Sequence, residues 1–87
     1  MIFPTVHLNG TSRDALLEPI MAALQAHHEV INALAQVAPN GRDYYVQGPS
    51  AYGEARREHE KRMHRLADNV HELTQLAEHL SNRGATR

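Results

Sequence analysis

The sequence contains no cysteine and no tryptophan, a single phenylalanine, and no long uninterrupted apolar run. Without cysteine the chain forms neither disulfides nor thiolate zinc sites. Apolar stretches this short predict no membrane-spanning segment. The formal net charge is −1, so the broad basic field that attracts nucleic acid is missing, and we expect no sequence-specific nucleic-acid partner. The N-terminus lacks a basic region followed by an apolar one, so we expect no signal peptide and a cytoplasmic protein.

The chain has 87 residues, which bounds it to one small domain. A domain of this size buries only a modest share of its surface, and such scaffolds gain stability from disulfides, a metal or oligomerisation. Because disulfides are excluded and no metal motif is present, the composition favours a homo-oligomer, a dimer or larger.

The N-terminal half predicts an extended arm followed by a long helix. Residues 1–10 are rich in strand-forming side chains around Pro4, which opposes helix, so this segment is predicted to be an extended arm. Apolar residues then recur every three or four positions over 12–38, which predicts helix 1 with Thr11 as its N-cap. Pro19 lies too deep for a first-turn proline and predicts a kink or a break into two helices, and the apolar seam that continues across it favours the kink.

The C-terminal half predicts a second long helix over 49–82, with a tail at 83–87. Pro49 suits the first helical position, and Gly84 suits the C-terminal stop. The two apolar seams face each other in an antiparallel hairpin. The predicted fold is therefore all-α: a two-helix hairpin with an extended arm, assembled into a homo-oligomeric helical bundle.

Polar residues interrupt the predicted seam at two places. Arg56 and His59 stand where helix 2 should present core residues, and such breaks often mark function or strain. In helix 1 either His27 or His28 must face the seam, where a hydrogen-bonded histidine helps to set the register of an interface.

Seven histidines are many for this length, but they do not converge on one helix face. Solvated or interface histidines explain them better than a metal site, so we expect no metal and no cofactor. The hydroxyl side chains all have capping or surface roles, and neither a paired catalytic carboxylate nor a phosphate-binding glycine motif is present. We therefore expect that the protein is not an enzyme.

The connection over 39–48 is about twice as long as a two-helix hairpin requires. It is also chemically specific, with arginine, two tyrosines and amide side chains, and basic residues follow it on helix 2. Arginine forks bind phosphate, and aromatic faces stack on bases. The alternatives are a salt-bridged solvated face for the arginines and an oligomer interface for the tyrosines. The predicted ligand-binding residues are Asn9, Thr11, Ser12, Asn40, Arg42, Asp43, Tyr44, Tyr45, Gln47, Tyr52, Arg56 and Arg57.

The N-terminal and central loops lie too far apart to meet on one small ligand within one chain. Helix 1 separates Ser12 from Ala38 by about 39 Å at the standard helical rise. In an antiparallel oligomer, the start of one chain would lie beside the loop of its neighbour. The helix start near Thr11 offers free backbone N–H groups to a phosphate. We therefore predict composite anion or nucleotide sites between subunits.

Two loops carry a resemblance to a known group of proteins. The stretch His7-Leu8-Asn9-Gly10-Thr11-Ser12 and the stretch from Ala38 to Tyr45, with Gln47-Gly48, resemble a group of small, mostly uncharacterised bacteriophage proteins. The similarity spans both helices, and Pro19 departs from the pattern. The group has no established activity. By analogy of size and context, small oligomeric phage proteins include sponges that sequester nucleotide immune signals in systems such as Thoeris and CBASS.

The resemblance and the loop chemistry together lead to one functional hypothesis. It is a phage accessory protein in the host cytoplasm that binds and sequesters a small nucleotide-derived signalling molecule of host immunity, without catalysis. The alternative is a helical adaptor or structural protein that docks a host or virion protein through its seam and loop.

Overall fold

The computed structural model describes residues 1–85, with side chains described as far as Asn82, and over that range the chain is a helical hairpin without strands. Helix α1 spans Arg13–Ala35 and helix α2 spans Ala51–Ala85. Two single-turn 3-10 helices, Gly41–Asp43 and Tyr45–Gln47, fill the connection between them. The all-α fold is confirmed.

Helix α1 begins at a different cap from the one the sequence predicted. Ser12, not Thr11, is the N-cap: its Oγ accepts a hydrogen bond from the backbone N–H of Ala15 at 3.2 Å, and Asp14 lies in the first turn. The capping geometry requires a side-chain oxygen three residues before the satisfied N–H, and in this backbone Ser12 holds that position.

Helix α1 ends three residues before the predicted bound at Ala38. The N–H groups of Gln36, Val37 and Ala38 donate to carbonyls three residues back rather than four. Tightened turns of this kind close many helix ends. The N–H of Ala38 donates to Ala35, and Pro39 follows immediately. Because the residue before a proline avoids helical geometry, the helix cannot continue.

Helix α1 runs through Pro19 as one unbroken element. Proline has no N–H, so the carbonyl of Ala15 lacks its normal helical donor at this point. The sequence left open a break into two helices at Pro19, and the structure shows that the helix does not break.

Helix α2 is shifted towards the C-terminus relative to the prediction. It begins at Ala51 rather than at Pro49, because the N–H of Ala51 donates to the carbonyl of Gly48 and forms a turn before the helix. Residues 83–85, predicted to be tail, continue the helix through Gly84. The last two residues of the predicted tail lie outside the described residues.

The N-terminal arm forms neither helix nor strand, and the N–H of Gly10 closes a turn by donating to the carbonyl of His7 at 3.1 Å. Its Phe3 ring stacks on His79 of α2, with 4.5 Å between ring centroids and 14° between ring planes. This contact places the beginning of the chain against the C-terminal part of α2, as an antiparallel hairpin requires.

The hairpin is long and thin. Its extents are 63 × 21 × 20 Å and its radius of gyration is 19.1 Å. A compact domain of this length has a radius of gyration of about 12 Å. Among residues 1–82, Leu80 alone is fully buried, and most of the other apolar residues along the seam, such as Leu24, Ile31 and Leu66, are half-buried. No described helix combines the length and the apolar character that crossing a membrane requires.

Candidate ligand site at the hairpin loop

The loop backbone is ordered by its own hydrogen bonds. Asn40 caps the first 3-10 turn, since its Oδ1 accepts from the backbone N–H of Arg42 at 3.0 Å. The N–H of Asp43 donates to the carbonyl of Asn40 at 3.0 Å, and that of Tyr44 donates to Gly41 at 3.0 Å. Asn40 therefore orders the loop through its cap, and this role occupies the side-chain oxygen that the sequence assigned to a ligand.

A second turn carries the chain from Tyr44 into helix α2. The N–H of Gln47 donates to the carbonyl of Tyr44 at 2.9 Å, and the turn ends at Gly48. Gly48 has φ 123° and ψ 169°, a conformation that is essentially confined to glycine. This residue redirects the chain so that the loop folds over the start of α2.

The loop and the start of α2 enclose an open cleft of about 440 Å³. This volume lies within the range of about 300–1,000 Å³ that is typical of small-molecule sites. Tyr52 forms its floor: a Cβ built on Gly41 would lie 3.9 Å from the Tyr52 ring, an ordinary packing distance. The lining residues are Gly41, Arg42, Tyr45, Gly48, Pro49 and Tyr52.

The two tyrosines of the cleft differ in how they are held. Tyr45 is 74% exposed, so one face of its ring is open to solvent and to a stacking partner. Tyr52 packs against Gly41 on one side and has the guanidinium of Arg56 5.8 Å from its ring centroid on another. This distance is within the range of a cation–π contact, which orients Arg56 beside the cleft.

Arg56 is also paired with an acidic neighbour one helical turn away. Its Nη2 lies 3.7 Å from Oε1 of Glu60, and both side chains are more than half exposed. Exposed pairs of this kind contribute less than about 1 kcal/mol. A pair this weak does not fix the Arg56 guanidinium to Glu60.

The structure separates the predicted site residues into two groups at opposite ends of the hairpin. Arg42, Tyr45 and Tyr52 line the cleft, and Arg56 lies beside it. The N-terminal candidates lie at the far end of α1, about 35 Å away at the standard helical rise. Those distant candidates are Asn9, Thr11 and Ser12.

The remaining predicted residues belong to the loop or to α2 without lining the cleft. Tyr44 is half-buried, and Asp43 and Gln47 are exposed on the two turns. The side chain of Arg57 lies along its own helix, with Nη1 3.5 Å from the position of a Cβ on Gly53. Within one chain, the cleft therefore brings together a subset of the predicted site.

Sequence reasoning missed the backbone contribution to the cleft. Gly41, Gly48 and Pro49 were not among the predicted ligand-binding residues, yet all three line the cleft. Two glycines within a loop that also carries arginine and tyrosine are the available signal, since glycine lets a ligand approach the backbone closely.

The histidines in the seam have different surroundings. His27 is half-buried and His28 is exposed, which resolves the alternative that the sequence left open. The Nδ1 of His27 lies 2.8 Å from the carbonyl oxygen of Ala23, and since a carbonyl only accepts, Nδ1 carries the proton. In α2 the Nδ1 of His59 is buried without a hydrogen-bond partner.

Neither these histidines nor the acidic residues assemble a metal site within residues 1–85. No group of three or more histidine, aspartate or glutamate side chains converges in the described part of the chain. A second, smaller cleft of about 200 Å³ lies midway along the hairpin and is lined by Ile31, Met63, His64 and Ala67. Its volume is below the usual size of a small-molecule site.

The chain matches no family model, no curated protein and no solved structure.

Proposed function

We propose that this chain is a phage accessory protein that binds and sequesters a small nucleotide-derived signalling molecule of host immunity, in the host cytoplasm and without turning it over. The observation that supports this most is the cleft at the hairpin loop, where one arginine and two tyrosines line a volume of about 440 Å³. The phage assignment is supported by the resemblance of the two loops to small phage proteins.

The side chains of the cleft suit the two parts of a nucleotide. The exposed ring of Tyr45 offers a face for a nucleobase, and base–aromatic stacking contributes about 1–3 kcal/mol per base. Arg42 brings a fork of donors that matches phosphate oxygens, and Arg56 is held next to the cleft by Tyr52.

The same lining residues support binding rather than catalysis. The six residues of the cleft include no carboxylate, no imidazole and no serine or threonine. General acid–base or nucleophilic chemistry most often uses such groups, and the two tyrosines are the only side chains in the cleft lining that could take such a role. A site of arginine, tyrosine and glycine is equipped to retain an anion.

Calorimetric titration with cyclic nucleotides and ADP-ribose-derived signals tests the proposal. We expect at least one of these ligands to bind, and Arg42→Ala or Tyr45→Ala to weaken binding by tenfold or more, since each removes a lining group. The matched control is Arg65→Ala, which removes the same charge from an exposed position of α2 that does not line the cleft.

Two results would contradict the sponge function. Binding by none of these ligands removes it, and equal losses in the Arg65 and Arg42 variants would show that the cleft is not the site. In either case the adaptor function takes its place.

The adaptor function has its own supporting observation. Tyr45 and Val46, adjacent in the loop, are 74% and 76% exposed, and two neighbouring exposed side chains of this size suit a protein partner. Native mass spectrometry of the protein purified from infected cells separates the two functions. A retained small molecule supports the sponge, and a retained protein supports the adaptor.

A further inference from the structure

Helix α1 carries two apolar stripes, and α2 covers only one of them. The first consists of half-buried residues that face α2, from Leu16 to Leu34, with Ile20 and His27 nearest its centre. The second lies about 110° further around the helix at about 100° per residue, and all its members are exposed. Its members on the helix, spaced three or four residues apart, are Pro19, Ala22, Ala26, Val30 and Ala33, and exposed Val37 follows in the turn after the helix end.

The second stripe is more than a scatter of surface apolar residues. Val30 and Val37 are 49% and 61% exposed, and the alanines between them are exposed as well. The spacing is that of a helix–helix contact seam, and α2 has no comparable second stripe, because polar residues flank its single apolar face. Within residues 1–82, this stripe of α1 is left without a covering helix.

The accessible surface area of the chain indicates how much surface a second neighbour should bury. The accessible surface is 6630 Å². A compact folded chain of this mass exposes about 5,200 Å², so this chain exposes about 1,400 Å² more. A stable protein–protein interface buries about 800 Å² on each partner. One interface along α1 therefore removes more than half of this excess.

We propose that the second stripe binds the same stripe of a second copy of this chain, antiparallel, with the two-fold axis passing at Ala26. In this register Ala22 lies opposite Val30 of the second copy, and Pro19 lies opposite Ala33 of the second copy. A small residue then lies opposite a larger one on both sides of the axis. At the axis, Ala26 of one copy lies opposite Ala26 of the other, and these small side chains let the helices approach closely. A parallel pair would stack valine on valine and alanine on alanine, which packs unevenly.

The antiparallel register also fits a four-helix bundle. Its two neighbours, α2 and the α1 helix of the second copy, lie about 110° apart around α1, close to the right angle at the corner of such a bundle. Residue 17 of one chain is then level with Ala35 of the other, so the first turn of α1 extends past the end of the second copy's α1, on the side where its connecting loop begins. The start of α1 in one copy therefore lies at the same end of the pair as the loop cleft in its neighbour, where the sequence placed a composite site.

Cysteine crosslinking tests both the surface and the register, because the natural chain contains no cysteine. Ala26→Cys should form a disulfide-linked dimer on mild oxidation, since the two positions meet at the axis. A mixture of Ala22→Cys and Val30→Cys chains should form a heterodimer. Val30→Cys alone should not crosslink, because the two sites are about 12 Å apart along the axis and a disulfide spans less than about 7 Å between Cα atoms.

The control is Asn32→Cys, an exposed position on the polar side of the same helix, which should stay uncrosslinked. Dimers linked through Val30→Cys alone would overturn the antiparallel register. An uncrosslinked Ala26→Cys, or a chain that is monomeric by light scattering, would overturn the interface itself. These outcomes require no ligand, so the interface and the proposed binding function fail or hold separately.

Discussion

Gly48 and Gly53 are five residues apart in sequence. The backbone conformation favours glycine at the first position and tolerates a larger residue at the second. Gly48 has φ 123° with nothing within 4 Å of an added Cβ, so its requirement for glycine comes from the backbone conformation alone. Gly53 is helical, and a Cβ there would meet only Arg57 Nη1 at an ordinary 3.5 Å. At Gly48 a larger residue is opposed by backbone strain, whereas at Gly53 it meets neither strain nor crowding.

Substitution of these glycines by alanine should change stability in opposite directions. Gly48→Ala should lower the free energy of unfolding by about 1–3 kcal/mol, because alanine is strained in this region of φ and ψ. Gly53→Ala should raise it by up to about 1 kcal/mol, because alanine loses less backbone entropy in a helix. Urea unfolding at one fixed protein concentration measures both. A neutral Gly48→Ala would show that the loop relaxes to another conformation.

For individual residues, the sequence predicted which residue types line the candidate cleft better than it predicted which of the candidates lie there. Arg42, Tyr45 and Tyr52 were candidates because of residue type and proximity, and all three line the cleft. Tyr44 was an equal candidate, yet it is half-buried beside them. Which tyrosine faces the cleft depends on how the two consecutive 3-10 turns are oriented relative to each other. Turn propensities do not determine that orientation.

The ends of the helices are set by single hydrogen bonds, and the cap of α1 provides a direct test. Ser12→Ala removes the acceptor for the N–H of Ala15 and should lower the free energy of unfolding by about 0.5–2 kcal/mol. Thr11→Ala, the matched control, should have little effect, because Thr11 is not the capping residue. A larger loss from Thr11→Ala than from Ser12→Ala, measured by urea unfolding, would contradict the observed cap.

The two long helices were predictable because their apolar periodicity extends over many turns, and periodicity depends on no single contact. Their ends were less predictable. Thr11 and Ser12 are both good N-caps, and only the backbone geometry selects Ser12. Similarly, Pro49 suits a first helical position, but the turn made by Gly48 delays α2 until Ala51. Gly84, a typical stop signal, lies inside the helix instead.

Residues 1–85 contain one pair of long helices and no third layer, and the elongated shape follows from that. Two helices bury only the strip between them, so among residues 1–82 a single side chain, Leu80, is fully enclosed. Hydrophobic stabilisation scales with the apolar area removed from water, at about 25 cal/mol per Å². A hairpin with extents of 63 × 21 × 20 Å therefore gains little from its own packing.

If assembly supplies the missing core, the melting temperature must depend on protein concentration. Unfolding then includes dissociation, and mass action stabilises the oligomer as the concentration rises. For a dimer of this size, a hundredfold increase in concentration should raise the melting temperature by about 5–10 °C. Circular dichroism at protein concentrations from about 1 to about 100 µM measures the shift in melting temperature. Light scattering at the same concentrations measures the oligomeric state. A melting temperature independent of concentration, with a folded monomer by scattering, would mean that the hairpin is stable alone despite its thin core.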